Sequence, residues 1–294
     1  MIDSRVTGKT KLLGIIGNPI EHSISPQLHN TITSQFGLDF IYIPFRVEPQ
    51  HLEQAVNGLK ALNFEGFNVT IPYKQEILKY INEVSKEALM MGAVNTIKNI
   101  NGKLYGYNTD AEGFVRSFKE EAGTGFKGKV VSIIGAGGAA RAMAVKIAIG
   151  EAEKIYIINR TLSSAEDIAD IINKNISAVA FGLSVQDKKA AGLISESDIV
   201  INTTSVGMIP EVDKSPVSGE AEFSSNQIVY DVIYNPTKTR FLSEAEKKGC
   251  KIINGLGMLF YQGVTAYEIW TGVKLSDDFI RDTYKSFLTI LKRD

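Results

Sequence analysis

The sequence predicts an α/β protein made of two units, each built on its own largely parallel sheet. Three observations carry this. Short apolar, β-branched runs alternate with longer stretches whose apolar residues recur at helical spacing. The alternation is interrupted once by a hairpin signal near residue 101 and restarts after a glycine-rich stretch at 123–128. One of the later strands runs directly into a glycine turn that opens a helix. Strands separated by helices imply right-handed crossovers and parallel pairing.

Taken in order, a strand is predicted over 12–16, closed by Gly17-Asn18-Pro19. Ser25-Pro26 reads as a helix start, with Ser25 as cap and Pro26 in the first turn. A strand follows over 40–45. Leu52, Val56, Leu59 and Leu62 then mark a helix, and 66–70 a third strand. The runs 93–100 and 103–107 flank Asn101-Gly102, the dipeptide of a tight antiparallel turn. A helix is predicted over 111–122 and a linker over 123–128. Beyond it strands are predicted at 129–134, 154–159, 198–204 and 228–233, with a short one near 251–254. Helices are predicted at 138–149, 163–174 and 238–248, and the last forty residues read as two more, 256–272 and 276–292. No repeat at a solenoid period is present.

The composition narrows the classes of function. Of 294 residues, 44% are hydrophobic and 22% charged, as in an ordinary folded protein rather than a disordered one. Thirty-two basic against 33 acidic residues leave a net charge of -1, so nothing draws the chain to nucleic acid or an acidic membrane. One cysteine, Cys250, excludes an internal disulfide. With three histidines, His22, His29 and His51, it also argues against a Cys/His zinc site, and no metal is expected. Charges among the first eleven residues and the shortness of the apolar run 12–16 argue against a signal peptide. Arg141 and Lys146 argue against a membrane span at 130–149. A cytoplasmic protein is expected.

The strand Lys129-Val-Val-Ser-Ile-Ile134 leads into Gly135-Ala136-Gly137-Gly138-Ala139-Ala140, a G-x-G-x-x-A turn. Gly135 allows the tight bend, Gly137 lets the backbone approach a pyrophosphate, and Ala140 lets helix and strand pack closely. The N–H groups of the helix start then face the anion. The plainer reading, a glycine-rich turn with no ligand, does not explain this placement between strand and helix. The next strand ends in Asn159-Arg160-Thr161. An NAD-selective fold usually places Asp or Glu there for the ribose 2′-hydroxyl. Here a neutral amide and a guanidinium stand instead. Arg160 suits a 2′-phosphate, so the residues favour NADP over NAD. The plainer alternative is a solvated surface arginine.

Polar residues also gather at the predicted strand ends of the first unit. Ser23 and Ser25, at a helix start, can each donate to a carboxylate, although capping by Ser25 alone is the simpler reading. Lys74, expected one turn into a helix beside a strand end, can reach into a cleft, although lysines on helices are usually solvated. Asn95 and Asp110 lie near other element ends.

Together these motifs resemble the shikimate dehydrogenase family over nearly the whole chain. The matching segments are His22-Ser-Ile-Ser-Pro26, Asn68-Val-Thr-Ile-Pro-Tyr-Lys74, Gly92-Ala-Val-Asn-Thr96, Tyr107-Asn-Thr-Asp110, Gly135-Ala-Gly-Gly-Ala139, Asn159-Arg-Thr161, Asn202-Thr-Thr-Ser205, Asp231-Val-Ile-Tyr-Asn-Pro236 and Gly255-Leu-Gly-Met-Leu259 with Gln262. The resemblance implies an N-terminal α/β substrate domain and a doubly wound Rossmann-type NADP-binding domain, with C-terminal helices returning to the first. It puts the substrate domain at 1–112 and 256–294 and the NADP domain at 113–255. It implies an NADP-dependent alcohol oxidoreductase interconverting 3-dehydroshikimate and shikimate, on the route to chorismate and aromatic amino acids. Its partner would be that small molecule, and the enzyme a monomer or homodimer. By the same resemblance Ser23 and Ser25 hold the substrate carboxylate, with Tyr234 assisting. Thr70, Lys74, Asn95, Asp110 and Gln262 hold the ring hydroxyls. Lys74 matches the catalytic lysine, with Asp110 beside it in that role. Gly135, Ala136, Gly137, Gly138, Ala139, Asn159, Arg160 and Thr161 match NADP-binding positions. Val232, Gly255 and Met258 match the nicotinamide end.

Two departures stand out. Ser164 occupies a position where NADP-specific relatives often carry a second cation, which predicts a weaker NADP preference. Val232 stands where methionine is common and alters packing only. Rival readings are a quinate/shikimate dehydrogenase using NAD and a non-catalytic NADP sensor. Ser25, where quinate-using relatives often have threonine, leans toward shikimate. The presence of both Lys74 and Asp110 leans toward catalysis.

Overall fold

A computed structural model describes residues 6–217 and 222–291. The chain divides into two compact units. One holds the residues up to Thr109 together with those from Gln262 onward, and the other spans Asp110–Tyr261.

The first unit opens with β1 (Lys11–Gly17), α1 (Ser25–Phe36), β2 (Phe40–Arg46), α2 (Leu52–Ala61) and β3 (Gly66–Val69). A 3-10 turn over 76–80 precedes the two-residue β4 (Glu83–Val84), α3 (Lys86–Met91), β5 (Thr96–Ile100) and β6 (Lys103–Tyr107). The sheet order is β2-β1-β3-β5-β6-β4. β1 pairs in parallel with β2 and β3, whereas β3–β5 and β5–β6 are antiparallel. Asn101 and Gly102 both take positive φ, 52° and 80°, the geometry that lets a two-residue turn follow the strands' twist. On one sheet face α2 buries Leu52, Val56 and Leu59 among Phe64, Phe67 and Val69.

The edge strand β2 is blunted. The Asn30 side chain donates to the Tyr42 carbonyl at 3.0 Å and accepts the Tyr42 N–H at 2.9 Å. Two residues on, with its backbone turned to the same side, Pro44 has no N–H to offer.

The second unit carries β7 (Val130–Ile134), α5 (Gly138–Ile149), β8 (Lys154–Asn159), α6 (Leu162–Asn175), β9 (Ala180–Ser184), α7 (Lys188–Glu196), β10 (Ile199–Asn202), β11 (Ile228–Asp231), α8 (Arg240–Lys247) and β12 (Lys251–Ile253). Its order, β12-β11-β10-β7-β8-β9, is wholly parallel. Counted within the unit this is 3-2-1-4-5-6, the doubly wound arrangement. The chain passes between units within α4 (Thr109–Ala122) and α9 (Leu256–Thr271), and α10 (Asp277–Leu291) closes the described chain. The last residue of the expected final helix, 292, lies outside the described residues.

One expectation about this layout needs correction, and several short or edge elements were not anticipated. Residues 123–128 form neither helix nor strand, but they lie inside the second unit rather than linking the two, and Phe126 is 3% exposed and packs on Phe118 at 4.6 Å and Phe114 at 5.5 Å. β9 and α7 were not anticipated. β9 lies at the sheet edge and is half-covered, so it lacks a buried apolar run. α3 was missed because it has only six residues; its cap Ser85 accepts the Ala88 N–H at 3.3 Å.

The C-terminal residues return to the first sheet. Ala266 and Trp270 of α9 join Leu13, Ile15 and Tyr42 in its second core. Trp270 Nε1 donates to the Ile97 carbonyl at 2.8 Å, and the ring lies where a side chain at Gly66 would be. A Cβ there would stand 2.3 Å from the indole.

A buried carboxylate ties the second unit's strand ends together. Asp231 is 0% exposed. It accepts from Asn202 Nδ2 at 3.0 Å, the Ile233 N–H at 3.0 Å and Thr239 Oγ1 at 2.6 Å. Thr239 in turn caps α8. Burial outweighs the three hydrogen bonds and raises the Asp231 pKa to about 6.

Among the described residues no helix is long and apolar enough to cross a membrane. No group of three or more His, Cys, Asp or Glu among them is placed to hold a metal ion.

Two outcomes are expected. Gly66→Ala should lower unfolding free energy by about 1–3 kcal/mol through overpacking against Trp270, measured by urea titration, and an unchanged midpoint contradicts the packing. Because folding raises the Asp231 pKa, its contribution is fully present below the unfolded value near pH 4 and is lost as pH rises through about 6. Wild-type stability relative to Asp231→Asn should therefore fall by about 2 kcal/mol between pH 4 and 7. A pH-independent difference contradicts it.

Candidate active site

In the first unit Ser23, Ser25, Thr70 and Lys74 follow the carboxyl ends of β1 and β3, whereas the expected substrate residues Asp110 and Tyr234 belong to the second unit. Backbone bonds join the loops that leave these strands: the Asn18 N–H reaches the Ile71 carbonyl at 3.0 Å and the Thr70 N–H the Ile16 carbonyl at 3.0 Å. Half-buried Thr70 is thereby fixed beside the loop that carries Ser23 and Ser25. Ser25 is not the helix cap. Ile24 takes the N-cap position, Ser25 is the first helical residue, and its N–H donates to Ser23 Oγ at 3.3 Å. The Ser23 hydroxyl, one residue before the cap position, thus accepts the first helical N–H, and the pair is held together by that bond.

Lys74 does not lie within a helix. It sits in the irregular turn 71–75 that precedes the 3-10 turn. The turn is pinned on both sides of the lysine. Tyr73 is fully buried and its hydroxyl donates to the Val47 carbonyl, while the Lys74 carbonyl accepts the Val94 N–H at 2.8 Å. A buried tyrosine and a backbone bond position the half-buried lysine. Because the Lys74 carbonyl is bonded to the residue before Asn95, both stay close to the same strand ends.

Asn95 is 3% exposed. Its Oδ1 accepts the Thr109 N–H at 2.7 Å and its Nδ2 donates to Thr109 Oγ1 at 3.1 Å. Asp110, the second residue of α4, follows directly and is half-buried. Gln262 is 7% exposed on α9, two turns before the Trp270 anchor.

Sequence reasoning assigned no role to Tyr42, Asn68, Thr96 or Thr109, which form a buried polar network around Asn95. The available signal was the position of Asn68 itself, an amide inside the otherwise apolar strand Gly66–Val69. Asp231 was missed in the same way, as a carboxylate ending Ile228–Asp231.

The second unit presents the glycine turn. Gly135 adopts φ +110°, and a Cβ there would lie 2.5 Å from Thr203 Oγ1, so both conformation and space exclude a side chain. Above Gly137 and Gly138 a Cβ would meet nothing within 4 Å. Gly137 is the N-cap of α5 and supplies no side-chain cap bond. Open space over an uncapped helix start is what a pyrophosphate requires. Ala136 and Ala139 are half-buried, and Ala140 is fully buried against the sheet.

At the end of β8 the Asn159 amide donates to the Thr161 carbonyl at 3.0 Å. This bond folds the chain back so that exposed Arg160 stands at the corner. Thr161 is the N-cap of α6 without a side-chain cap bond, and half-buried Ser164 lies in that helix's first turn. Arg160 and this helix start together fit a 2′-phosphate.

Val232 and Gly255 are brought together. A Cβ at Gly255 would stand 2.0 Å from the Val232 carbonyl oxygen, and the Gly255 N–H donates to the Ile233 carbonyl at 3.2 Å. Half-buried Met258 follows in the first turn of α9. Tyr234, 38% exposed, lies on the same segment as Val232, and partial burial raises its pKa. The Asp231 clasp anchors this segment, because the Asp231 carboxylate accepts the Ile233 N–H and the Val232 N–H reaches the Asn202 carbonyl at 3.0 Å.

Family comparisons agree with this layout. Residues 15–97 match the shikimate dehydrogenase substrate binding domain, 118–229 match shikimate/quinate 5-dehydrogenase, and 255–283 match the shikimate 5′-dehydrogenase C-terminal domain. A shikimate dehydrogenase (NADP(+)) of Alkaliphilus oremlandii is 47% identical over 279 residues, covering 95% of this chain and 97% of that protein. Among solved structures, shikimate 5-dehydrogenase of Listeria monocytogenes in complex with shikimate and NAD superposes with a TM-score of 0.90 at 40% identity, covering 96% of this chain and 98% of that one. A shikimate dehydrogenase in complex with NADP+ gives a TM-score of 0.85 at 41% identity over 96% of each chain. With a glycine turn on a doubly wound sheet and these matches over most of its length, the chain belongs to the shikimate dehydrogenase family.

Proposed function

We propose that this protein is an NADP-dependent shikimate dehydrogenase. It reversibly reduces 3-dehydroshikimate to shikimate with NADPH, a step toward chorismate and the aromatic amino acids. The observation that carries this is the pairing, in one chain, of an open glycine cradle followed by Arg160 with the Ser23, Ser25, Thr70, Lys74 and Asn95 set at the strand ends of the other unit. The 47% identity to a shikimate dehydrogenase (NADP(+)) supports it. We assign substrate binding to the unit containing β1–β6 and NADP binding to the unit containing β7–β12, with boundaries near 112/113 and 255/256. We place the enzyme in the cytoplasm, as a monomer or homodimer with a small-molecule substrate.

Oxidising a secondary alcohol removes a hydride from carbon and a proton from oxygen. NADP+ supplies the hydride acceptor when bound. Gly135, Ala136, Gly137, Gly138 and Ala139 hold its pyrophosphate, Asn159, Arg160 and Thr161 the adenosine end, and Val232, Gly255 and Met258 the nicotinamide end. Ser23 and Ser25 receive the substrate carboxylate, with Tyr234 assisting, while Thr70, Asn95 and Gln262 take ring hydroxyls. Lys74 and Asp110 act at the reacting hydroxyl, where Lys74 takes the proton or stabilises the developing alkoxide.

Steady-state assays of NADPH formation test the reading. Shikimate with NADP+ should give the highest kcat/KM of the four pairings of shikimate or quinate with NADP+ or NAD+. The preference for NADP+ should stay below about a thousandfold, because Ser164 brings no second cation. Lys74→Ala should lower kcat by about 10²–10⁴. Absence of shikimate-dependent NADPH formation overturns the assignment, and near-normal kcat in Lys74→Ala overturns the role of the lysine.

A further inference from the structure

The Asn68 carboxamide is 4% exposed and lies at the centre of a buried hydrogen-bond chain within the first unit. Its Nδ2 donates to the Asn95 carbonyl at 3.0 Å and to Thr96 Oγ1 at 2.9 Å, so both amide hydrogens are committed. Its Oδ1 accepts from the Tyr42 hydroxyl at 2.7 Å. The orientation is not arbitrary. A backbone carbonyl can only accept, so the atom facing the Asn95 carbonyl must be nitrogen.

That order of donors propagates. Thr96 Oγ1, having accepted from Asn68, has one hydrogen to give, to Thr109 Oγ1 at 2.8 Å or Asn95 Oδ1 at 3.2 Å. The Thr109 N–H can only donate, and it points at Asn95 Oδ1 from 2.7 Å. The Asn95 oxygen is therefore turned inward. One hydrogen of Asn95 Nδ2 goes to Thr109 Oγ1 at 3.1 Å, and the other is what this side chain can offer a ligand.

We propose that Asn68 and Thr96 are positioning residues that, through the Thr109 hydroxyl, reinforce the orientation in which the Thr109 N–H holds Asn95 as a hydrogen-bond donor to a substrate hydroxyl, without touching the substrate themselves. The proposal rests on reading Asn95 as a ligand of the ring hydroxyls. Tyr42 braces the far end of the chain. Its ring stacks on buried His29 at 4.2 Å and its hydroxyl lies against Ser25, one helical turn from His29. The Asn68 amide thus stands between two of the substrate-side residues. A specific consequence follows for substrate choice: an analogue lacking the hydroxyl that accepts from Asn95 should bind almost equally to wild type and to variants in which that hold is loosened.

Thr96→Val keeps the shape of the side chain and removes its hydroxyl, so that the Thr109 hydroxyl and Asn95 Oδ1 each lose a partner and the hold on Asn95 is loosened, while Thr96→Ser keeps the hydroxyl. With shikimate varied at saturating NADP+, Thr96→Val should raise the shikimate KM at least about tenfold, the loss of one buried hydrogen bond. Its NADP+ Kd, measured by calorimetry, should stay within about twofold, and Thr96→Ser should stay within about threefold of wild type in both. A wild-type KM in Thr96→Val, equal impairment of the Val and Ser variants, or equal losses of shikimate and NADP+ affinity overturns the proposal. Should Thr96→Val fail to fold, Tyr42→Phe removes the hydroxyl at the other side of the Asn68 amide. A KM raised severalfold with unaltered NADP+ binding then supports the proposal, and an unaltered KM overturns it. Asn95→Ala separates the two levels. An unaltered shikimate KM in that variant overturns the reading of Asn95 itself, whereas a raised KM there beside an unaffected Thr96→Val overturns only the positioning role.

Discussion

A polar side chain buried near the end of an apolar strand must find partners for its donors and acceptors, and the strand ends of both units are built around meeting that constraint. Asn68 is the last residue but one of β3 and meets it with Tyr42, Thr96 and the Asn95 carbonyl. Asp231 closes β11 and meets it with Asn202, Thr239 and the Ile233 N–H. Leaving either group unsatisfied costs about 1–3 kcal/mol, more for the carboxylate. Each hub therefore fixes the loops that leave its strand end. Those loops carry groups to which we assign ligand contacts: Thr70 and Lys74 after β3, and Val232 and Tyr234 after β11. Catalysis by oriented dipoles depends on having the groups in place before the substrate arrives.

The two hubs differ in charge, and the difference has a physical meaning. A neutral amide can be buried with little penalty once its hydrogen bonds are made. A carboxylate cannot, and the pKa of Asp231 rises to about 6 despite three donors. What the carboxylate gains is acceptor capacity: two oxygens collect a strand-end amide, a backbone N–H and the hydroxyl that caps α8. Close approach elsewhere is made by omitting side chains. Gly255 lets its chain pass against the Val232 carbonyl, and Gly135 fits beneath Thr203.

Much of this was legible in the sequence because its causes are local. Asn101-Gly102 takes the positive φ angles that only such dipeptides tolerate well, and the turn appeared where expected. The run Val130–Ile134 into Gly135 and Gly137 dictated strand, bend and helix start together. What was missed depends on distant partners. β9 is an edge strand, half-covered, without a buried run to announce it. Lys74 is held in an irregular turn by Val47 and Val94, residues 27 and 20 positions away, so its surroundings could not be read from its neighbours. Phe126 looked like part of a linker because the rings that bury it, Phe114 and Phe118, stand on the preceding helix. Ser25 was taken for a cap because serine before proline usually is one, whereas Ser23 supplies the accepting oxygen. Asn68 and Asp231 stood inside recognised motifs, yet their burial and partners became visible only in three dimensions.

The polar side chains at the strand ends of the first unit are held by the protein's own buried hydrogen bonds, with no ligand needed to order them. Solvent exchange of the Asn68 side-chain amide hydrogens, followed by NMR in the ligand-free protein, tests this most directly. Both hydrogens are committed to the Asn95 carbonyl and Thr96 Oγ1, so they should exchange at least about a hundredfold more slowly than a solvated asparagine amide. Exchange at the solvated rate, becoming slow only when shikimate is added, would contradict the account.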